Sequence, residues 1–167
     1  SVDGKTYDLP APFFVVATQN PSEFQGVYPL AESQLDRFML ELRLDPPEKS
    51  AELDIYRNAM KGVESRKKDS TLPSGTVLTI EQTLEMREAV THVNVEDTVL
   101  DYLSTLVRAT RSHPAVSHGV SVRGGLQLIS AVRGLAFVRG RNYVLPKDVA
   151  DLAVPAMAHR LCFSSGD

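Results

Sequence analysis

The sequence predicts an α/β segment followed by an all-α helical domain. Three observations carry that prediction. Phe13-Phe14-Val15-Val16-Ala17 is an unbroken apolar run, closed by Pro12 before it and Thr18-Gln19-Asn20-Pro21 after it. Such a run is the pattern of a strand buried on both faces. Phe38, Leu40, Leu42 and Leu44 alternate with Met39, Glu41 and Arg43, the period of a strand with one packed face. Beyond Asp45-Pro46-Pro47 the apolar residues recur at helical spacing instead. The proline pair therefore divides residues 1–46 from residues 47–167.

Within the first segment, Asp3-Gly4 between Val2 and Lys5-Thr6-Tyr7 reads as a two-residue hairpin turn. Gly4-Lys5-Thr6 also spells the end of a phosphate-binding loop, G-x-x-x-x-G-K-[ST]. That loop leads into a helix, and Tyr7-Asp8-Leu9-Pro10-Ala11-Pro12 sets two prolines there. A proline costs about 3 kcal/mol in a helix interior, so the turn is the better reading. No other stretch fits the loop. Residues 21–29 read as a loop around Gly26, and residues 32–37 are compatible with a short helix. Two strands this apolar cannot bury their surface alone and are read as part of a larger sheet.

In the second segment, residues 48–60 are expected to be helical with Ala51, Ile55 and Ala59 on one face. Residues 61–75 are polar and read as a loop or a frayed helix end. Thr79 and Gln82 have the spacing of a capping box that opens a short helix. Val93-Asn94-Val95 is a brief extended link, and Asp97 or Thr98 can cap the next helix. Val99, Leu100, Leu103, Leu106, Val107 and Thr110 share a face of that helix. Residues 112–118 read as a loop around Pro114. Leu128, Ile129, Val132, Leu135 and Ala136 mark another amphipathic helix, ending near Gly140. Pro146 suits the first turn of the last helix. Its stripe is Val149, Leu152, Ala153, Ala156 and Met157, with Pro155 as an interruption. Residues 164–167 read as a frayed end.

Composition narrows the function. A chain of 167 residues holds one ordinary domain or two small ones. The net charge of −3 supplies no basic field to attract nucleic acid. Arg133, Arg139, Arg141 and Lys147, and the run Arg66-Lys67-Lys68, read as solvated faces rather than a nucleic-acid patch. The single cysteine, Cys162, excludes an internal disulfide and fits a reducing compartment such as the cytoplasm. His92, His113, His118 and His159 lack metal-ligand spacing, so no metal site is expected. No apolar run approaches the roughly 18 residues of a membrane span. No secretory signal opens the chain, and a start at Ser1 reads as a partial or processed chain. Glu32 and Asp36 share a face of the short helix and read as surface residues, a contact with an adjacent subunit being the alternative.

The stretch PFFVVATQNPSEFQGVYPLAESQLDRF resembles the MoxR family of AAA+ ATPases. The resemblance continues through VRATRSHPAVSHGVSVRGGLQLISAVRGLAFVRGRNYVLPKDVADLAVPAMAHR and so spans nearly the whole chain. It implies that residues 1–46 are the C-terminal part of a P-loop NTPase (AAA+) core and residues 47–167 its helical lid. It also implies that the phosphate loop and the acidic motif lie upstream of this region, and that Gly4-Lys5-Thr6 is a hairpin before the sensor strand.

The resemblance gives roles to three residues. Asn20, at the end of the apolar run, matches sensor 1; a carboxamide there can hold a water facing the γ-phosphate. Arg37, in Leu35-Asp36-Arg37-Phe38, matches the arginine finger that reaches into the nucleotide site of the next subunit. Arg123, in Ser121-Val122-Arg123, matches sensor 2. The family more usually reads S-P-R-A there, and Val122 and Gly124 stand where it has proline and alanine. Ala31 likewise stands where the family commonly has proline. Asn20 and Arg123 are thus expected to contact nucleotide, and all three to serve catalysis.

For the intact protein the resemblance implies ATP and Mg²⁺ as cofactors, held mainly by motifs outside this chain. It implies a homo-oligomeric ring, expected to be hexameric, and chaperone-like remodelling or maturation of partner proteins, including von Willebrand factor A-type partners. The chain alone is expected to be inactive. The alternatives are a non-catalytic helical module binding protein or nucleic acid, and another AAA+ branch such as a magnesium-chelatase-like subunit.

Overall fold

The helical periodicity of the second half is realised as three helices around one core. The structure is a computed structural model that describes residues 4–19, 31–60, 75 and 77–164. Along the chain run α1 (Glu32–Leu35), α2 (Lys49–Met60), α3 (Ile80–Thr91), α4 (Asp97–Ser112), β1 (Val116–His118), α5 (Val122–Val138), α6 (Pro146–Met157), a 3₁₀ turn (Ala158–Arg160) and β2 (Cys162–Phe163). Val99, Leu103 and Val107 of α4 close on Leu128, Val132 and Ala136 of α5 and on Val149, Ala156 and Met157 of α6. Val93, Val120 and Val144 complete the core from the connecting segments. These are the stripes that the spacing predicts.

Local signals set the helix ends. The capping box of α3 is complete: the Gln82 amide donates to Thr79 Oγ1 at 3.1 Å, and the Thr79 amide to Gln82 Oε1 at 2.9 Å. Helix α4 begins at Asp97, one residue earlier than an Asp97 cap requires and two earlier than a Thr98 cap requires. Glu96 is the cap residue, but its carboxylate accepts from Asn94 Nδ2 at 2.6 Å rather than from the helix. Gly140 follows α5 with φ of 72°, the left-handed conformation that ends helices. Pro146 stands in the first turn of α6. Pro155 leaves two further helical residues before the 3₁₀ turn, and its carbonyl accepts from the Glu41 amide at 2.8 Å.

Several expectations are corrected. The helical domain is not wholly α: the expected loop over residues 112–118 contains β1, which pairs antiparallel with β2, Val116 opposite Phe163 and His118 opposite Cys162. The strands expected over residues 13–17 and 38–44 do not form. Phe14 is 84% and Leu44 95% exposed. A strand exists where a neighbour takes its backbone hydrogen bonds, and among the described residues neither stretch has one. Helix α2 forms, yet none of its residues is buried.

Gly4 sits in a turn with φ of 75°, and irregular backbone rather than a helix follows Lys5 and Thr6. The phosphate-loop reading of these letters is thereby excluded. Val2 and Asp3, the loop over residues 21–29, most of the polar stretch over residues 61–75 and residues 165–167 lie outside the described residues.

Arg139 and Lys147 lie exposed, as a solvated face requires, whereas Arg141 is half-buried; all three are engaged by carboxylates. Asp148, fully buried, accepts from Arg141 through both oxygens at 2.7 and 2.8 Å and from Arg139 at 2.7 Å. It also accepts from the Leu145 amide at 2.8 Å, holding the start of α6. Arg139 and Lys147 meet again on Asp151, each at 2.8 Å. The guanidinium of Arg141 beside Asp148 is the main cause that lowers this carboxyl to about 2.

Candidate active site

Helix α1 is a single turn. The amides of Arg37 and Phe38 reach back to the carbonyls of Gln34 and Leu35 at 3.2 and 3.0 Å, so the chain reverses at Asp36-Arg37. A four-residue helix has little stability of its own, and this one is held from outside, by the helical domain.

The holding groups come from two places. The first is the start of α5. Gly119 lies against the end of α4, where an added Cβ would stand 2.7 Å from Arg111 Cα. The Val120 amide donates to Thr110 Oγ1 at 3.0 Å, and its carbonyl accepts from Arg111 Nε at 2.6 Å. Ser121 is thus fixed as the cap of α5: its Oγ accepts from the Gly124 amide at 3.0 Å and donates to the Asp36 carboxylate at 3.2 Å. The second place is the end of α6. Arg160, with its side chain 1% exposed, donates from Nε to Asp36 Oδ1 at 3.1 Å. Its Nη2 donates to the carbonyls of Asp36, at 3.3 Å, and Phe38 and to Gln127 Oε1, while Nη1 meets the Ala156 carbonyl.

Two more bonds complete the grip. Gln127 Nε2 donates to the Arg37 carbonyl at 3.3 Å, and His159 Nε2 to the Phe38 carbonyl at 3.1 Å. Side chains of the helical domain therefore hold three consecutive carbonyls, of residues 36, 37 and 38. Gly124 makes room for this: a Cβ there would lie 2.7 Å from Val120 Cγ1 and 2.9 Å from Arg160 Cδ. The glycine that weakens the start of α5 is the space that Arg160 occupies.

Arg37 itself is exposed, and among the described residues its side chain has no hydrogen-bond or ion-pair partner. Arg123, exposed in the first turn of α5, is in the same state. The 3.2 Å contact between Ser121 and Asp36 joins the two segments, so Arg37 and Arg123 flank one junction. Asn20 lies outside the described residues. Asp36, expected at the surface, is instead the internal partner of Arg160 and Ser121. Neither Arg160 nor Gln127 is legible as a functional residue in the sequence, since each lies about 90 or more positions from its partners: 90 for Gln127 and Arg37, 124 for Arg160 and Asp36.

Burial lowers the histidine value at His159, with the Arg160 charge adding to it; the Phe38 carbonyl and the Glu41 and Asp36 carboxylates act in the opposite sense. Nε2 carries the proton toward Phe38, and Nδ1 is buried with no partner among the described residues. Protonation would set an N–H where nothing accepts it. Because the folded value lies below the ordinary one of about 6.5, stability is complete above that pH and declines as the pH falls below it. Thermal unfolding between pH 7.5 and 5 is expected to show a steeper loss for the native protein than for His159→Gln, whose amide keeps the donor to Phe38. Equal slopes would remove His159 as the cause.

Known proteins resemble this chain. The AAA lid domain family matches residues 108–165, and the ATPase family associated with various cellular activities (AAA) matches residues 1–40. The chaperone MoxR1 of Mycobacterium tuberculosis is 37% identical over 96% of the chain and 43% of its own length. The MoxR family and the AAA+ lid thus coincide on one sequence. The chain belongs to the MoxR family of AAA+ ATPases.

Other MoxR-type relatives agree. The uncharacterized protein YeaC of Bacillus subtilis is 39% identical over 96% of the chain and 48% of its own length. The protein MoxR of Paracoccus denitrificans is 48% identical over 28% of the chain and 14% of its own length. A crystal structure assigned as an ATPase from Cytophaga hutchinsonii superposes with a TM-score of 0.79 at 29% identity, over 98% of the chain and 51% of that protein. The MoxR-type chain described here spans about half the length of the two long relatives and of this structural neighbour. Its architecture is accordingly the C-terminal part of an AAA+ ATPase with its helical lid. No described helix is long and apolar enough to cross a membrane.

Proposed function

We propose that the intact protein hydrolyses ATP at sites shared between neighbouring subunits of a cytoplasmic ring, a hexamer, and that hydrolysis remodels partner proteins. Residues 1–46 then belong to the nucleotide-binding core and residues 47–167 form the lid. The observation that carries this reading is the pair of exposed guanidiniums, Arg37 and Arg123, on either side of the Ser121–Asp36 contact, with no side-chain partner among the described residues. Asp36 and Arg160, the charged pair at that junction, occupy each other. Arginine is suited to phosphate by its planar set of donors.

In this reading the γ-phosphoryl group of ATP is transferred to water; Mg²⁺, held mainly by motifs outside this chain, would supply charge neutralisation at the phosphates. Arg37 extends into the neighbour's site and neutralises the charge that develops. Arg123 holds the phosphates from the lid side of its own subunit. Asn20 orients the attacking water. The name of the chaperone MoxR1 supports a protein client, and von Willebrand factor A-type proteins are the partners we would test first.

A site built from two subunits needs assembly. The specific ATPase activity of the intact protein, with Mg²⁺, is expected to rise with protein concentration and to level off as the ring forms. Activity that stays constant down to concentrations where only monomer is detected would argue against a shared site.

A further inference from the structure

We propose that Arg160, with Gln127, is a positioning residue for Arg37, so that the lid of one subunit sets the arginine presented to the next. This rests on the trans-acting role of Arg37 proposed above and adds the element that controls it.

The geometry is specific. Arg160 lies in the lid, beyond α6, yet its guanidinium is directed at the turn that carries Arg37: at the Asp36 carboxylate and at the carbonyls of Asp36 and Phe38. Gln127 of α5 takes the carbonyl between them, that of Arg37, and is itself bound to Arg160. Among the described residues, no group on the turn's own segment does this work. An arginine fixed by a lone ion pair could swing; one that also binds successive main-chain carbonyls fixes the direction of the peptide planes around Arg37. Arg37 is left exposed, so what the grip orients is a side chain with no partner among the described residues.

A burial argument points the same way. Burial pushes the Arg160 guanidinium below its usual value, and the Asp36 hydrogen bond opposes this. Replacing both by apolar residues is often neutral or better for stability. Holding a charged, bridging group at this junction is explained by what it orients.

The consequence is a mechanical link. A lid that moves when its own subunit binds or releases nucleotide moves Arg160 and Gln127, and with them the turn. The occupancy of one site then alters the arginine supplied to the next.

Complementation in the intact protein tests this. Arg160→Lys keeps a charge but cannot bind several carbonyls at once. It is expected to lower kcat about tenfold or more with little change in nucleotide affinity, the pattern of a lost transition-state contact. Mixed with Arg37→Ala subunits, which also lack a working arginine, it should show no recovery. Mixed with Arg123→Ala subunits, whose arginine at 37 is intact, it should recover activity. Recovery with Arg37→Ala subunits would mean that the Arg160 variant still presents a working arginine, and would overturn the proposal.

Gln127→Ala serves where Arg160→Lys fails to fold, since Gln127 is only half-buried. The same complementation pattern is expected, with a loss of a few fold. A native rate in that variant would also overturn the proposal. Arg37→Ala mixed with Arg123→Ala is the control: recovery there establishes the shared site independently. Its failure would defeat the trans-acting reading itself and the coupling built on it.

Discussion

Replacing Arg37 by alanine in the intact protein is expected to lower ATP hydrolysis about 10³-fold or more while leaving nucleotide binding largely in place. The size follows from the chemistry. Phosphoryl transfer offers a protein little to do except position groups and stabilise charge, and an arginine supplied to the transferring phosphoryl contributes about 10³–10⁵ in rate. A factor of 10³ corresponds to about 4 kcal/mol of transition-state stabilisation. The split between rate and binding follows from timing, because the charge that Arg37 meets is largest as the phosphoryl group leaves.

Folding should not be affected. The Arg37 side chain is exposed and unpartnered among the described residues, and substitutions at such positions stay within about 0.5 kcal/mol. The grip of the lid is on the main chain around residue 37, which alanine retains. Steady-state hydrolysis, equilibrium nucleotide binding and thermal unfolding of the same variant separate these outcomes. A variant that hydrolyses at the native rate ends the catalytic reading. One that loses binding in proportion moves Arg37 from the transition state to the ground state.

The lid helices were open to sequence reading because their signals are local. Thr79 and Gln82 are three residues apart and form the cap that their spacing implies. Val99, Leu103 and Val107 repeat every four residues and are all buried. Gly140 and Pro146 bracket the turn between α5 and α6 as their backbone preferences require. The apolar run over residues 13–17 misled for a related reason. Its composition is that of a central strand, but composition records what a segment needs, whereas pairing depends on partners. Phe13 and Phe14 remain 58% and 84% exposed among the described residues.

The candidate site divides in the same way. Arg37 and Arg123 were visible through motifs that carry a family resemblance. The groups that hold them were not, because Asp36 and Arg160 meet across 124 positions and no periodicity links them. By propensity alone Gly124 weakens α5, since glycine costs about 1 kcal/mol in a helix. In three dimensions it is the gap filled by Val120 and Arg160. Basic residues were legible only in part: Arg139 and Arg141 meet Asp148 beneath them, while Lys147 stays exposed on Asp151.

Asp148 yields the largest expected effect on stability. Asp148→Ala removes a fully buried carboxylate that four donor groups approach: two from Arg141, one from Arg139 and the Leu145 amide. The guanidiniums stay behind without their partner in a half-buried turn, and the Leu145 amide at the start of α6 loses its acceptor. Breaking a buried pair from one side costs about 3–5 kcal/mol, a large fraction of the roughly 5–15 kcal/mol that holds an ordinary domain folded. Asp151 limits the damage, because it still accepts from Arg139 and Lys147. Asp148→Asn should fall between, keeping an acceptor for Leu145 but turning an amide toward Arg141.

The same group governs acid sensitivity. Its folded value of about 2 lies below the ordinary carboxylate value near 3.9. Its contribution is therefore complete above about pH 4 and is lost as the pH falls toward 2. Denaturant unfolding at neutral pH and at pH 3 measures both effects at once. The native protein should lose more stability between these conditions than Asp148→Ala, which has no carboxylate there to protonate. If the two lose equally, or if the alanine variant is as stable as the native protein at neutral pH, the network around Asp148 does not hold the α5–α6 turn in the way its geometry implies.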